Sequence, residues 1–132
     1  MWKKISLIVL LLGFFSSLYA LDISEESKKA ISENKLVLLS VESRNCGYCV
    51  KMNKEIFSSN IYAAQIAKNY VQKIIYVEET SLPRTLQIKY FPTNVIVDPK
   101  KMEIVDEFTG YMPATDFIGL LDLVYKQEFQ IQ

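Results

Sequence analysis

The chain has 132 residues and not one histidine. That absence excludes a Ser-His or Cys-His catalytic pair and any imidazole metal ligand. Cysteine is scarce as well, with Cys46 and Cys49 the only two. There is no excess of charge of either sign, because Lys+Arg and Asp+Glu are both 15. A nucleic-acid partner, which would call for a basic face, is therefore not expected. The chain contains no internal repeat, no low-complexity stretch and no interdomain linker. Apolar material is plentiful: 50% of residues are hydrophobic and 12% aromatic. Disordered chains are poor in aromatics and high in net charge, so disorder over most of the length is not expected. The length suits one domain with one packed core and is too short for two.

The first twenty residues differ from the rest. Trp2-Lys3-Lys4 gives a positive start, and Ile5 to Phe15 is apolar except for Ser6 and Gly13. Ser16-Ser17-Leu18-Tyr19-Ala20 follows, small and polar and ending on Ala. This is the layout of a secretory signal peptide, residues 1–20, with cleavage after Ala20 and a mature domain over 21–132. Leu18 departs from it, because a smaller residue is preferred there. The alternative is an uncleaved membrane anchor, but the apolar run falls short of the roughly 20 residues that span a bilayer. No cysteine lies near the junction, so a lipid-anchored N-terminus is not indicated. Removing 1–20 takes away Lys3 and Lys4 and no acid, which leaves the remainder mildly acidic.

Residues 22–35 read as a polar surface helix, with Asp22 or Ser24 as cap and a thin apolar face of Ile23, Ala30 and Ile31. Leu36 to Val41 is a nearly continuous apolar run and fits a strand buried on both faces. Glu42 to Asn45 reads as a loop. A helix is expected from Gly47 to Phe57, packed through Val50, Met52, Ile56 and Phe57. A second is expected over Asn60–Asn69 with Asn60 as cap. Val71 to Val77 is rich in β-branched residues and reads as a strand. Leu82 to Tyr90 reads as a short helix with Pro83 in its first turn. Thr93–Val97 and Met102–Phe108 read as strands joined by the turn Asp98-Pro99-Lys100-Lys101, an antiparallel hairpin. A last helix runs from Pro113 to about Gln127 with Phe117, Leu120, Leu121 and Val124 as its buried stripe. The order α-β-α-α-β-α-β-β-α implies an α/β fold with a parallel pair made through a crossover, then a hairpin and a closing helix.

Cys46 and Cys49 stand as C-x-x-C between an expected buried strand and an expected helix, which is what makes the motif informative. Free backbone N–H groups and the positive end of the helix dipole favour a thiolate at Cys46. Thiolate is the attacking species in disulfide exchange. Cys49 lies one helical turn on and can attack a mixed disulfide formed on Cys46. Cys46 is thus the exposed nucleophile and Cys49 the buried resolving thiol. Three other readings compete. A purely structural disulfide would close a very small loop and remove little chain entropy. A zinc site needs four ligands, and two thiolates without His supply two; two thiolates could instead hold Cu(I), with Met52 as a distant third candidate that reads as core. A non-catalytic binding domain would not need the pair at all.

The stretch from Leu36 through Cys46-Gly47-Tyr48-Cys49 to Phe57 resembles the active-site region of thioredoxin-like proteins. Tyr90-Phe91-Pro92-Thr93 and the strand after it look like that family's cis-proline loop, and Phe108-Thr109-Gly110-Tyr111 looks like its glycine turn before the last helix. The resemblance spans about residues 22–127 and keeps the element order. It implies a thioredoxin-like fold with a central mixed four-stranded sheet flanked by helices, and a cis peptide between Phe91 and Pro92 facing the Cys46 sulfur. Gly47-Tyr48 is similar to the middle pair of bacterial periplasmic reductases and isomerases and lacks the histidine found in strong oxidants. The implied activity is a periplasmic or otherwise exported thiol–disulfide oxidoreductase of reductase or isomerase type. Its implied partners are protein thiols and disulfides and a redox-recycling partner. No cofactor is expected, and membrane contact only through an uncleaved leader.

Tyr48, Phe91, Pro92, Thr93 and Gly110 are the expected substrate-binding positions, with Tyr48, Phe91 and Tyr111 forming an aromatic rim. The sequence departs from the family at position 40. A buried acid often stands six residues before the first cysteine and assists proton transfer, and here that residue is Ser40. Glu42 points the same way in a strand. It is read as an ordinary solvated loop carboxylate, with proton transfer as the alternative.

Overall fold

The computed structural model describes residues 19–131, without the side chain of Tyr19. Residues 1–18 of the expected leader therefore lie outside the described residues. Tyr19–Ala20 forms a two-residue strand, β1, that pairs in parallel with β4 (Thr80–Ser81). Helix α1 covers Ser24–Ser32, shorter at both ends than the 22–35 expected. Asp22 Oδ1 accepts the Ser24 N–H at 2.9 Å, although Ile23 occupies the cap position. Ile23 and Ala30 are buried, but Ile31 faces solvent.

Strand β2 (Leu36–Glu42) is buried at every position, as a continuous apolar run predicts for the middle of a sheet. It pairs in parallel with β3 (Tyr70–Tyr76) and antiparallel with β5 (Thr93–Asp98). β5 continues the sheet antiparallel to β6 (Glu103–Thr109), giving the order β3-β2-β5-β6. This is the mixed four-stranded sheet expected. A parallel pair needs a crossover. It is supplied by α2 (Gly47–Met52), a π-helical turn at Asn53–Phe57 and α3 (Asn60–Asn69). Val50, expected to pack, is exposed. The α3 cap is Ser59 and not Asn60: its Oγ accepts the Tyr62 N–H.

The expected helix over Leu82–Tyr90 does not form. One turn bond, Leu86 N–H to the Pro83 carbonyl at 2.9 Å, is the only backbone regularity described there. Leu86 is buried and packs into the core from this irregular segment. Helix α4 (Ala114–Glu128) closes the chain with Phe117, Leu121 and Val124 buried.

Strand alternation sorts the apolar side chains onto two faces. Leu36, Leu38 and Ile96 meet Met52, Ile56, Ile66, Phe117 and Leu121 on one side. Val37, Leu39, Val95 and Val97 meet Ile23, Ala30 and Leu86 on the other. Each such fully buried aliphatic or aromatic side chain contributes about 1.5–3 kcal/mol relative to exposure. No helix among the described residues is long and apolar enough to cross a membrane.

Candidate active site

The register Val41↔Thr93 puts the start of β5 beside the end of β2. Pro92 therefore lies at the sheet end from which the chain leads to Cys46. Cys46 is the N-cap of α2, with φ −128° and ψ 104°. Its Sγ accepts the Cys49 N–H at 3.1 Å. That contact is the sulfur counterpart of an ordinary N-cap and favours negative charge on Cys46. Cys46 is half-buried and Cys49 is only 2% exposed. The two are joined as a disulfide, with Cα atoms 5.2 Å apart.

Tyr48 stands out from this pair, 63% exposed. Its ring stacks on Tyr111 with centroids 6.0 Å apart. Lys51 Nζ lies 4.4 Å above the Tyr111 ring, and the Tyr111 hydroxyl donates to Glu55. That bond to a carboxylate pushes the Tyr111 phenol up. Of the three aromatics expected to form a rim, Tyr48 and Tyr111 are in ring contact, and Phe91 is half-buried on the Pro92 loop.

The Phe91–Pro92 peptide is cis. The loop is held at two points: Gly110 N–H donates to the Pro92 carbonyl at 2.7 Å, and Thr93 Oγ1 donates to the Tyr90 carbonyl at 2.6 Å. Gly110 has φ +91°, a conformation glycine adopts freely. Thr93 and Pro92 are buried, Phe91 is half-buried and Tyr90 is 69% exposed.

Glu42 overturns the loop reading. It is the last residue of β2 and is 1% exposed. Strand pairing with Tyr76 on β3 carries it inward. Asn53 Nδ2 donates to Glu42 Oε1 at 2.8 Å. Glu42 Oε2 and Asn53 Oδ1 are buried without a partner among the described residues. Burial pushes the Glu42 carboxyl up, and the Asn53 bond and the Arg44 charge only partly oppose it.

Ser40 belongs to a neutral network. It donates to Asn94 Oδ1 at 2.7 Å and accepts from Gln72 Nε2 at 2.8 Å, and Asn94 Nδ2 reaches Met52 Sδ at 3.8 Å. The loop between β2 and Cys46 is anchored by Arg44. Its guanidinium lies 3.5 Å from the centroid of the Tyr76 ring and 2.6 Å from Glu79 Oε1, and its N–H donates to Glu78 at 3.1 Å. Asn53, Asn94 and Arg44 escaped the sequence reading. Asn53 lies four residues after Cys49, and Asn94 is a lone amide in an apolar strand, so both carried a signal.

A model of the thioredoxin-like domain matches residues 23–125. The chain belongs to the thioredoxin-like family. Among curated proteins no relative matches. Of solved structures, a thioredoxin from Thermus thermophilus is 24% identical over 82% of this chain and 87% of its own, with TM-score 0.65. The periplasmic thioredoxin SoxS from Paracoccus pantotrophus is 20% identical over 71% and 99%, with TM-score 0.57. The DsbD C-terminal domain from Neisseria meningitidis is 13% identical over 81% and 98%, with TM-score 0.59. These identities speak for the fold alone. This thioredoxin-like membership and the bonded Cys46–Cys49 pair at a helix start support a thiol–disulfide oxidoreductase. Among the described residues no cluster of three or more His, Cys, Asp or Glu could hold a metal ion.

Proposed function

We propose that the protein is an exported oxidoreductase of reductase or isomerase type that acts on disulfides in other proteins. The observation that carries this reading is the asymmetry of the pair: Cys46 half-buried at a helix start with an N–H on its sulfur, Cys49 buried behind it. The dithiol form attacks through the Cys46 thiolate. A bond forms between Cys46 and one client sulfur, and the client disulfide breaks, its second sulfur leaving with the electron pair. Cys49 then loses its proton and attacks Cys46. The Cys46–Cys49 disulfide forms, the client thiolate leaves, and the client has gained two electrons that this protein has lost. A dithiol partner restores the pair.

Glu42 is the acceptor we assign for the Cys49 proton. It is buried, its carboxyl is held above the usual range, and Oε2 is free to take a proton. Tyr48 and Phe91 form the client-facing surface, and Pro92, itself buried, shapes the loop that carries Phe91. Thr93 and Gly110 act through the loop, since their groups are engaged by Tyr90 and Pro92. The exposed Tyr48 and Tyr90 suit a macromolecular client better than an enclosed small molecule. A Cu(I) carrier would need a third soft ligand, and Met52 is turned into the core against Asn94. Export rests on the charged start, apolar run and small-residue end of residues 1–20. The relevant test is insulin reduction and scrambled-substrate recovery with Cys46→Ser as control. Loss of both activities in the variant is expected, and equal activity would sink the reading.

A further inference from the structure

We propose that Asn53 is a positioning residue of the exchange reaction. It fixes the Glu42 carboxyl so that one oxygen stays free for the proton leaving Cys49. This rests on the assignment of Glu42 as the acceptor.

Three observations converge on Asn53. First, it stands four residues after Cys49, and its own N–H donates to the Cys49 carbonyl. Side chains spaced by four share one face of a helix, so Cys49 and Asn53 are presented to β2 together. Second, the helix changes character at this residue. Ser58 N–H reaches back five residues to the Asn53 carbonyl at 2.8 Å, and Asn53–Phe57 is a π-helical turn. Such turns are rare and concentrate at functional sites. Third, the Asn53–Glu42 pair makes one hydrogen bond and leaves two buried acceptors, Glu42 Oε2 and Asn53 Oδ1, without a donor. Buried polar atoms without partners call for an explanation. A pair with two acceptors to spare is built to take up one proton. By donating to Oε1, Asn53 holds the carboxylate form ready and directs the proton to Oε2.

The other groups facing Glu42 do not substitute for this. Arg44 approaches from the loop but is engaged by Glu79 and the Tyr76 ring. Tyr76 is its register partner on β3. At the neighbouring end of β5, Thr93 and the preceding Pro92 carry no charge. Lys51, Lys54 and Glu55 of the helical segment are on the exposed side.

The test mixes reduced protein with a chromogenic aromatic disulfide under single-turnover conditions across pH. The first equivalent of aromatic thiolate reports attack by Cys46, and the second reports resolution by Cys49. Asn53→Leu keeps the volume and removes the donor. Its second phase is expected to slow about tenfold on the acid limb, the worth of one hydrogen bond to a charge, with the limb moved to higher pH. The first phase stays as in the wild type, which also shows that the variant is folded. Asn53→Gln, which keeps the amide, moves the limb back toward wild type, and Asn53→Leu has no further effect in a Glu42→Gln background. If Glu42→Gln alters the second phase and Asn53→Leu leaves its pH profile unchanged, the role of Asn53 is refuted and Glu42 stands. An unchanged second phase in Glu42→Gln removes the assignment of Glu42, and the role of Asn53 with it. Slowing of both phases without a shift in pH marks Asn53 as merely structural.

Discussion

Gly110→Ala isolates the backbone demand of the turn that supports the Pro92 loop. Gly110 has φ +91°, and a Cβ added there meets no atom within 4 Å. The steric contribution of the new methyl is therefore nil, and the whole effect is conformational. Holding an L residue at such a φ costs on the order of 1–3 kcal/mol. Gly119, on the exposed side of α4, also has open space around an added Cβ, but its backbone is helical. Gly119→Ala should stabilise by about 0.5–1 kcal/mol, because glycine is the poorer helix former. The two substitutions add the same methyl to the same empty surroundings with opposite expected signs. Urea denaturation of the disulfide form reads both, with the midpoint moving and the slope constant. A second effect belongs to Gly110 alone. Its N–H holds the Pro92 carbonyl at 2.7 Å, so relief of the strain by a shift of residue 110 loosens the loop and lowers insulin reduction. Equal stability of Gly110→Ala and wild type would refute the backbone argument. Lost stability with full activity would refute the link to the loop.

Three further outcomes follow from burial and charge. Phe117→Ala removes a side chain that is 0% exposed at the centre of the larger core and should destabilise by about 3–5 kcal/mol in a chemical denaturation experiment. The folded-state carboxyl of Glu42 lies above its unfolded value of 4.5, so ionising it opposes folding: Glu42→Gln should gain stability over wild type as pH rises through the folded-state value, and show no gain below about 4.5. A gain that is constant with pH would contradict the sign. Ser40→Asp places an ionisable group between Gln72 and Asn94, whose bonds to Ser40 are both made, and should cost about 1–3 kcal/mol with a loss that deepens as pH rises; thermal melts across pH would show it, and an unchanged melting profile would contradict it.

The elements that were legible in the sequence are those where local pattern and tertiary demand agree. β2 is an unbroken apolar run because it is central, and α3 and the β5–β6 hairpin carry their own cap and turn residues. Capping by Ser59 instead of Asn60 is a one-residue matter of side-chain geometry at a helix end. Leu82–Tyr90 failed for a different reason. Leu82 and Leu86 stand one helical turn apart and Ile88 does not share that spacing, yet all three line the smaller core from irregular chain. Periodicity reports burial and is silent about the backbone path between buried points. The cysteine pair was legible because its spacing is itself chemical, and Pro92 through the resemblance to the thioredoxin-like family. Glu42 was not, because polarity argues for a loop and only the register with Tyr76 shows that the strand runs one residue further.

Ser40 and Glu42 are best understood together. Residues two apart in a strand share a face, so both look toward α2 and the π-helical turn. Ser40 is bridged by Gln72 from β3 and Asn94 from β5, and a neutral hydroxyl satisfies both. A carboxylate there would lie between partners that ask for one donor and one acceptor, with sheet on either side. At the strand end the conditions differ. Glu42 is as buried as Ser40, yet the next residues lead outward, with Ser43 half-buried and Arg44 exposed. Glu42 thus stands next to the point where the chain leaves the sheet, and Ser40 lies two residues further in. At the tip of β2 burial still pushes the Glu42 carboxyl up, although the chain turns outward at the next residues. From the helical side, Asn53 supplies the one side-chain hydrogen bond that Glu42 has among the described residues. Ser40 and Glu42 thus differ by one strand repeat and by their partners: a neutral hydroxyl satisfied from both neighbouring strands, and a buried carboxyl at the strand end bonded by Asn53 alone.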